Sequence, residues 1–505
     1  MINSSDYTKL LNSFDIGASV AEQDTALALK EARIETAAFV GLAQDTIDLI
    51  RGTKGSGKSA LFLIFSLYLK DFLLEKYNTV IVNGVEPQGD PIFQSFHDAF
   101  EDLDEIEFQN FWRIYFVSLI DRYFIEDPKF SEIKSKYAKE IQDFKNCCRK
   151  ARIPQIEQKS RLQDIVALVL KVCKNIKITQ TYDHRTGTVK TGIEYSPSTI
   201  TPEEKAKAPV FLNEIHESLL ALLNKANLNI WVMLDRLDEV FLRRTPIEKK
   251  ALRALLQTTR SFPTSRIRIK IFLRDDILDY ITDENGFTGL THVTSRASDI
   301  LTWNKTEILH LIVKRIFISD TISLYYQIDK NRLNISESYR EECFYKVFPR
   351  QVEKGAKHPH ALDWIFSHCQ DGRGVVTPRD VIDLLTFAKS RQQELFSSQP
   401  VEQEFLISSL ALKHGYLRLS ERKKETYLKA EFPHFWTAII KLEGSKAEHN
   451  RDSLRKLFGD DVDIIIKNLC SIGFFQYMKS SDSYIIPFLF RVGLKLKQGK
   501  AFKKK

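Results

Sequence analysis

The sequence has few cysteines, and none of them is spaced as a metal-binding or redox pair. Its six cysteines include no C-x-x-C arrangement, and scattered thiols are typical of a reducing compartment rather than a disulfide framework. The longest apolar run, residues 60–69, is broken by Lys70 and is too short to cross a bilayer. Residues 1–11 lack the apolar core of a signal peptide. We therefore expect a cytoplasmic protein without a membrane segment.

Neither sign of charge dominates the chain. Its 74 basic and 66 acidic residues give a net charge of +8, which permits contact with nucleic acid or acidic partners but does not require it. With 505 residues, of which 43% are hydrophobic, the chain is long enough to form several domains with cores of their own.

The sequence does contain a glycine-rich segment, GTKGSGKS, at residues 52–59. Its G-x-x-x-x-G-K-[ST] spacing is that of a phosphate-binding P-loop, and it lies between a predicted strand at 46–50 and an apolar helix. In such a loop backbone N–H groups surround phosphate oxygens, the lysine reaches the β- and γ-phosphates, and the serine hydroxyl binds Mg²⁺. We therefore predict that ATP and Mg²⁺ are bound by Gly52, Gly55, Ser56, Gly57, Lys58, Ser59 and Ala60.

A second informative stretch is the apolar run 230–234, which ends in the acids of DRLDE. This pattern predicts a buried parallel strand whose carboxyl end carries the acids at the ligand-binding edge of the sheet. Asp235 is then the Mg²⁺ ligand, and Asp238 or Glu239 orients or deprotonates the attacking water. An acidic helix cap after an ordinary strand is the alternative, and the preceding P-loop favours the catalytic interpretation.

A third predicted strand, 267–273, ends on Arg274. Arg274 could contact the γ-phosphate and report its presence, or it could pair with Asp275 or Asp276 on the surface. We favour the sensor role, because the strand follows the acidic strand by one predicted helix, 246–259.

The rest of the chain suggests a helical region and then a small α/β module. Thr377 as N-cap and Pro378 at the first helical position predict a helix start. This places Arg379 in the first turn, either as a second sensor or as an ordinary exposed residue. A helix followed by a hairpin at 474–487 predicts a winged helix ending in a basic tail, which could bind DNA or another protein.

These patterns predict four regions. Residues 1–45 form an N-terminal helical segment, which we expect to pack on the edge of the nucleotide-binding core. The core is 46–300, with an insertion at 95–205 of helices and a β-hairpin that either contacts a partner or is simply solvated. A helical lid, 301–398, and a winged-helix domain with a basic tail, 399–505, complete the chain.

Four motifs together resemble those of bacterial P-loop ATPases of the AAA+/STAND group, close to the KAP and NACHT branches and more distantly to the origin-recognition ATPases. They are GTKGSGKS (52–59), MLDRLDE (233–239), FLRDD (272–276) and TPRD (377–380). The resemblance implies an α/β P-loop NTPase core with a parallel sheet, followed by a helical lid and a C-terminal winged helix.

The resemblance also implies roles for individual residues. Asp235 matches the metal-binding acid, Asp238 and Glu239 the catalytic acids, and Arg274 the first sensor. In relatives, the residues matching Pro378 and Arg379 contact adenine and phosphate. The arginine finger is not assigned; the candidates are Arg243, Arg244, Arg260 and Arg296.

At the level of function, the resemblance implies an ATP-hydrolysing molecular switch that forms homo-oligomers. In bacteria such ATPases resemble defence components, so we hypothesise a role in antiviral defence with a separate effector protein. The alternative is a DNA-binding loader or initiator that uses the winged helix and the basic tail.

Overall fold

A computed structural model of the chain describes residues 2–85, 100, 103–126, 131–150, 153, 162–173, 176–183, 188–195, 212–237, 245–259, 266–282, 287, 294–398 and 404–502. The chain divides into two units. The sheet unit comprises Ala37–Thr53 and Lys58–Leu301, and the helical unit comprises Met1–Thr36, Lys54–Gly57 and Thr302–Lys505. Among the described helices, none is long and apolar enough to span a membrane.

Strands occur in both units. They are β1 (Leu49–Gly52), β2 (Thr79–Asn83), β3 (Ile176–Asp183), β4 (Thr188–Tyr195), β5 (Asn229–Leu234), β6 (Ile267–Arg274), β7 (Lys446–His449), β8 (Gln476–Met478), β9 (Ser483–Ile485) and β10 (Lys497–Lys500).

Helices account for most of the remaining regular structure. Up to residue 300 they are α1 (Ser4–Ser13), α2 (Ala37–Ala43), α3 (Lys58–Leu63), α4 (Lys70–Tyr77), α5 (Glu105–Glu126), α6 (Ser131–Lys136), α7 (Ala138–Lys150), α8 (Leu162–Cys173), α9 (Leu212–Ala226), α10 (Pro246–Thr258) and α11 (Asp275–Thr282). Beyond it they are α12 (Lys305–Phe317), α13 (Asp320–Tyr325), α14 (Lys330–Ile335), α15 (Glu337–Val347), α16 (Ala361–His368), α17 (Pro378–Ser398), α18 (Ser409–Lys423), α19 (Pro433–Ile440), α20 (Arg451–Phe458), α21 (Val462–Ser471) and α22 (Phe488–Arg491).

The sheet unit is built on parallel strands in the order β1-β6-β5-β2. Residues 297–301 run parallel to the other edge of β1, where Leu49 pairs with Ala297 and Gly52 with Leu301. These strands are almost entirely buried, which is why their sequences are nearly continuous apolar runs. The predicted α/β fold with a parallel sheet is confirmed.

Charged side chains hold the amino end of β1. Lys270 of β6 is fully buried, and its Nζ donates to Asp45 Oδ1 at 2.5 Å and to Asp48 Oδ1 at 2.7 Å. It also lies 4.4 Å from the centre of the Trp231 ring. Arg296 Nε donates to Asp48 Oδ2 at 2.5 Å. Burial alone would raise the pKa of Asp48, but Arg296 and Lys270 lower it below its usual value.

This ion-pair network explains one wrong prediction. We expected the first strand to begin near residue 46, but β1 begins at Leu49, because the Asp48 side chain is held by Lys270 and Arg296 rather than placed on the sheet. Arg296, one of the candidate arginine fingers, thus has a structural role within its own chain. The other three candidates, Arg243, Arg244 and Arg260, lie outside the described residues.

The first part of the predicted insertion belongs to the core of the sheet unit. In α5 burial is not limited to one face, because every residue from 110 to 121 is buried. Trp112 Nε1 donates to Ala251 O at 2.9 Å, and Tyr115 Oη donates to Gly84 O at 2.7 Å. These bonds tie α5 to α10 and to the end of β2. The predicted hairpin is present as the antiparallel pair β3–β4, and its tip, 184–187, lies outside the described residues.

The N-terminal segment up to Thr36 belongs to the helical unit. Tyr7 and Phe14 are fully buried in the hydrophobic core shared with α12 and α15–α22. Arg315 of α12 makes two 2.8 Å hydrogen bonds to the carboxylate of Asp24, and both side chains are about 95% buried. The apolar side chains of α1 and this ion pair therefore anchor the segment.

The end of the chain has the element order of a winged helix, as predicted. β7 is followed by α20, α21 and the antiparallel hairpin β8–β9, and β9 pairs with β7. Within the predicted basic tail, residues 497–500 form β10, a strand that pairs in parallel with β7 and gives the sheet order β10-β7-β9-β8. Residues 503–505 lie outside the described residues.

His368, at the end of α16, lies between two aromatic rings of the helical unit. Its ring centre is 4.0 Å from that of Trp364 and 4.4 Å from that of Phe488. Nδ1 donates to Trp364 O at 2.7 Å. Burial, aided by the charge of Arg491, lowers the pKa of His368 to about 4.

This burial predicts a loss of stability in acid. Because the unfolded chain protonates the histidine near pH 6.5 and the folded chain only near pH 4, stability is lost as the pH falls between these values. For His368→Phe, which keeps a ring in the stack, we expect the loss between pH 7 and pH 5 to be smaller by about 1–2 kcal/mol. Urea unfolding at both pH values measures it, and identical losses in the two proteins would contradict the assignment.

Candidate functional site

Several polar residues of the sheet unit lie at the carboxyl ends of its parallel strands. Asn83 ends β2, Asp235 follows β5, Arg274 ends β6, and Gly52 ends β1. Gly52 and Arg274 are direct neighbours in the β1–β6 register. Since parallel strands end at the same edge of a sheet, these residues share the edge where ligands bind in open α/β sheets.

Lys58 is the first residue of α3 and is 9% exposed. Its Nζ donates to the carbonyl oxygens of Gly52 and Thr53, each at 2.9 Å. These two contacts hold the ammonium over the start of its own loop. An anionic phosphate oxygen is a stronger acceptor for an ammonium group than a peptide carbonyl.

The tip of the same loop, Lys54–Gly57, makes its contacts within the helical unit. Gly55 and Gly57 have φ angles of +85° and +104°, a backbone conformation that glycine adopts without steric cost. A Cβ atom on Gly55 would lie 3.1 Å from Arg379 Cβ, so Arg379 packs directly against the loop. Trp303 Nε1 fixes the next residue by donating to Ser56 O at 2.8 Å.

Two further polar contacts surround this loop tip within the helical unit. Lys54 forms an ion pair with Glu431, whose side chain is 4% exposed. Arg379 Nε donates to Ser19 O at 3.1 Å. Arg379 follows Pro378 at the start of α17, where the Thr377 hydroxyl accepts from Asp380 N as the predicted N-cap. The loop tip and the start of α17 are thus neighbours. A shared role of the two segments in binding a nucleotide, as predicted, requires this.

Arg274 has a carboxylate partner in the structure. It makes hydrogen bonds of 3.0 and 2.9 Å to the two carboxylate oxygens of Asp276. Asp275 is paired with Arg51 instead, at 2.6 Å. The pairing that we weighed as the alternative is therefore present, while Arg274 remains at the ligand-binding edge and the sensor role stays a prediction.

The loop fits a bound phosphate chain. The hydroxyl groups of Thr53 and Ser56 are buried and have no hydrogen-bond partner in the part of the chain that the structure describes, and such groups are costly unless a ligand or water satisfies them. Ser59 lies in the first turn of α3 next to Lys58.

The predicted metal ligands also fit Mg²⁺. Ser59 supplies one hydroxyl and Asp235 one carboxylate that is 3% exposed. The described residues contain no cluster of three or more metal-binding side chains. Mg²⁺ does not need one, because it retains waters and takes further oxygens from substrate phosphates.

The turn after Asp235 has an unusual backbone. Arg236 has a φ angle of +55°, and a side chain other than glycine is disfavoured there by about 1–2 kcal/mol. The turn leads directly to the predicted catalytic acids Asp238 and Glu239, which lie outside the described residues. Strained conformations of this kind persist where the surrounding structure fixes them, often at active sites.

Sequence reasoning missed residues in each of the two units. Asn83 has a buried Oδ1 without a described hydrogen-bond partner; its polar side chain at the end of an apolar strand was the available signal. Glu431 and Trp303 contact the P-loop across hundreds of residues of sequence. No local pattern marks them, because only the fold brings them to the loop.

Comparison with known proteins gives little further guidance. No family model matches the chain, and no curated protein matches it. A solved structure similar to it is that of the ORC2 protein of Aeropyrum pernix in ADPNP–ADP complexes, at 14% identity over 93% of this chain and 97% of that chain, with a TM-score of 0.40. A similarity of this degree does not establish a family, so the function follows from the site alone.

The backbone of Arg236 generates a prediction. Both Arg236→Gly and Arg236→Val remove the guanidinium group, but only glycine tolerates the positive φ angle. We expect Arg236→Val to be less stable than Arg236→Gly by about 1–2 kcal/mol or more, measured by urea unfolding. Equal stability of the two variants would show that the turn is not held in this conformation.

Proposed function

We propose that the chain is a Mg²⁺-dependent switch that binds and hydrolyses ATP. The observation that carries the proposal is the loop between β1 and α3. In one segment it joins two glycines with positive φ angles, two buried hydroxyls without a described hydrogen-bond partner, and an ammonium 2.9 Å from two carbonyl oxygens of the same loop. Each feature favours a polyphosphate, and together they fit the P-loop motif.

Each residue then has a defined task. Lys58 exchanges its carbonyl partners for β- and γ-phosphate oxygens, and Ser59 with Asp235 would hold Mg²⁺, which neutralises phosphate charge. Asp238 or Glu239 positions and deprotonates the attacking water. Arg274 senses the γ-phosphate by leaving Asp276 for it, and Pro378 with Arg379 contact the nucleotide beside Gly55, as in the ATPases the motifs resemble.

Substitution of Lys58 and Glu239 tests the proposal. We expect Lys58→Ala to abolish ATP binding, because the phosphates lose their buried cation, and Glu239→Gln to bind ATP while turnover stalls. Fluorescent-nucleotide titration and phosphate release measure the two steps. The control is Lys70→Ala, which removes an exposed lysine from α4 and should leave both steps as in wild type. Turnover by Lys58→Ala equal to wild type would refute the proposal.

For the biological role we propose a homo-oligomeric switch in antiviral defence that acts on a partner effector, supported by the resemblance of its motifs to bacterial defence ATPases. A deletion that leaves phage plating unchanged would count against this role. The second candidate is a DNA-binding loader or initiator, supported by the exposed lysines of the winged helix. ATP turnover measured with and without duplex DNA separates the two, since only the second candidate predicts stimulation.

A further inference from the structure

The sheet of the winged-helix module carries positive charge that no described carboxylate compensates. Lys446 of β7 and Lys497 of β10 are direct neighbours in the parallel register, and both are exposed. Side chains of directly paired residues lie on the same face of a sheet. No described carboxylate lies within 4 Å of either ammonium group.

The rest of this face adds to its positive charge. Lys500 pairs with Glu448 at 2.6 Å, and Ser483 donates to the same carboxylate oxygen at 2.8 Å. Glu448 is therefore already neutralised by a lysine of β10. A Cβ atom on Gly499 would lie 3.9 Å from Lys446 Nζ. The Lys446 side chain therefore extends across β10 above Gly499. Lysines 446, 497 and 500 against one glutamate leave a net charge of +2.

Helix α21 of the same module carries negative charge at its amino end. Asp460, Asp461 and Asp463 lie at the amino end of α21, where the helix dipole would otherwise attract a phosphate. Arg451 of α20 is bound to Asp463 by two hydrogen bonds of 2.6–2.7 Å, and Arg455 is paired with Asp460. The charges of these arginines are thus compensated within the module.

Lysines placed opposite each other without carboxylates repel one another, and an anion on the same face removes that cost. We propose that the β7–β10 face, defined by Lys446, Lys497 and Lys500, binds the phosphate backbone of a nucleic acid duplex, and that α21 does not. Ammonium groups act as point charges on phosphate without reading bases, so the binding is independent of sequence. This proposal gives the DNA-binding alternative a surface and does not depend on ATP turnover.

The test is fluorescence anisotropy of a labelled duplex with the full-length protein, without nucleotide, across a salt series. We expect Lys446→Gln/Lys497→Gln to lower the slope of log Kobs against log[salt] by about 1.8, that is, about 0.9 for each lost phosphate contact. The matched control, Lys456→Gln/Lys467→Gln, removes the same charge from exposed positions on α20 and α21. It should leave the slope unchanged.

Two results would overturn the proposal. If the slope of log Kobs against log[salt] falls for Lys456→Gln/Lys467→Gln and stays unchanged for Lys446→Gln/Lys497→Gln, the duplex is bound by the helices instead. If the wild-type protein binds no duplex at 50 mM salt, the lysines serve another partner, such as an acidic protein surface. Because the titration contains no ATP, neither result bears on the proposed ATPase activity, which Lys58→Ala tests separately.

Discussion

The position of β1 is the constraint on which the candidate site depends. This short strand is held between β6 and residues 297–301, and the buried Lys270 with Asp48 and Arg296 fixes its amino end. Removing one partner of a buried ion pair leaves an uncompensated charge and is strongly destabilising. The predicted phosphate-binding loop begins at the last residue of β1, so this ion-pair network determines where that loop starts.

At the carboxyl end of β1 lie the polar residues to which we assign ligand binding. Lys58 contacts two carbonyl oxygens, two nearby hydroxyls have no described partner, and Arg236 has a positive φ angle next to Asp235. Energetically unfavourable local features of this kind are expected at functional sites, where a bound ligand offsets their free-energy cost. The charges at the amino end of β1 are paired, whereas the hydroxyls of Thr53 and Ser56 after its carboxyl end have no described partner. This contrast supports the proposed function.

The sequence was informative where the signal is local. The P-loop spacing, the apolar strands, the Thr377 cap and the winged-helix order all depend on residues close in sequence, and the structure has these elements. The start of β1 was wrong because it depends on a distant partner, Lys270, which holds Asp48. The burial of α5 and the anchoring of residues 1–36 also depend on distant partners, such as Arg315 for Asp24. For the same reason Glu431 could not be predicted, since 377 residues separate it from Lys54.

The central claim is that the backbone from Gly52 to Ala60 closes on phosphate, and amide hydrogen exchange of peptides covering this segment tests it most directly. With saturating ATP and Mg²⁺, we predict slowed exchange of these amides in the wild-type protein and no slowing in Lys58→Ala. Exchange that is the same with and without nucleotide in the wild-type protein would contradict the account.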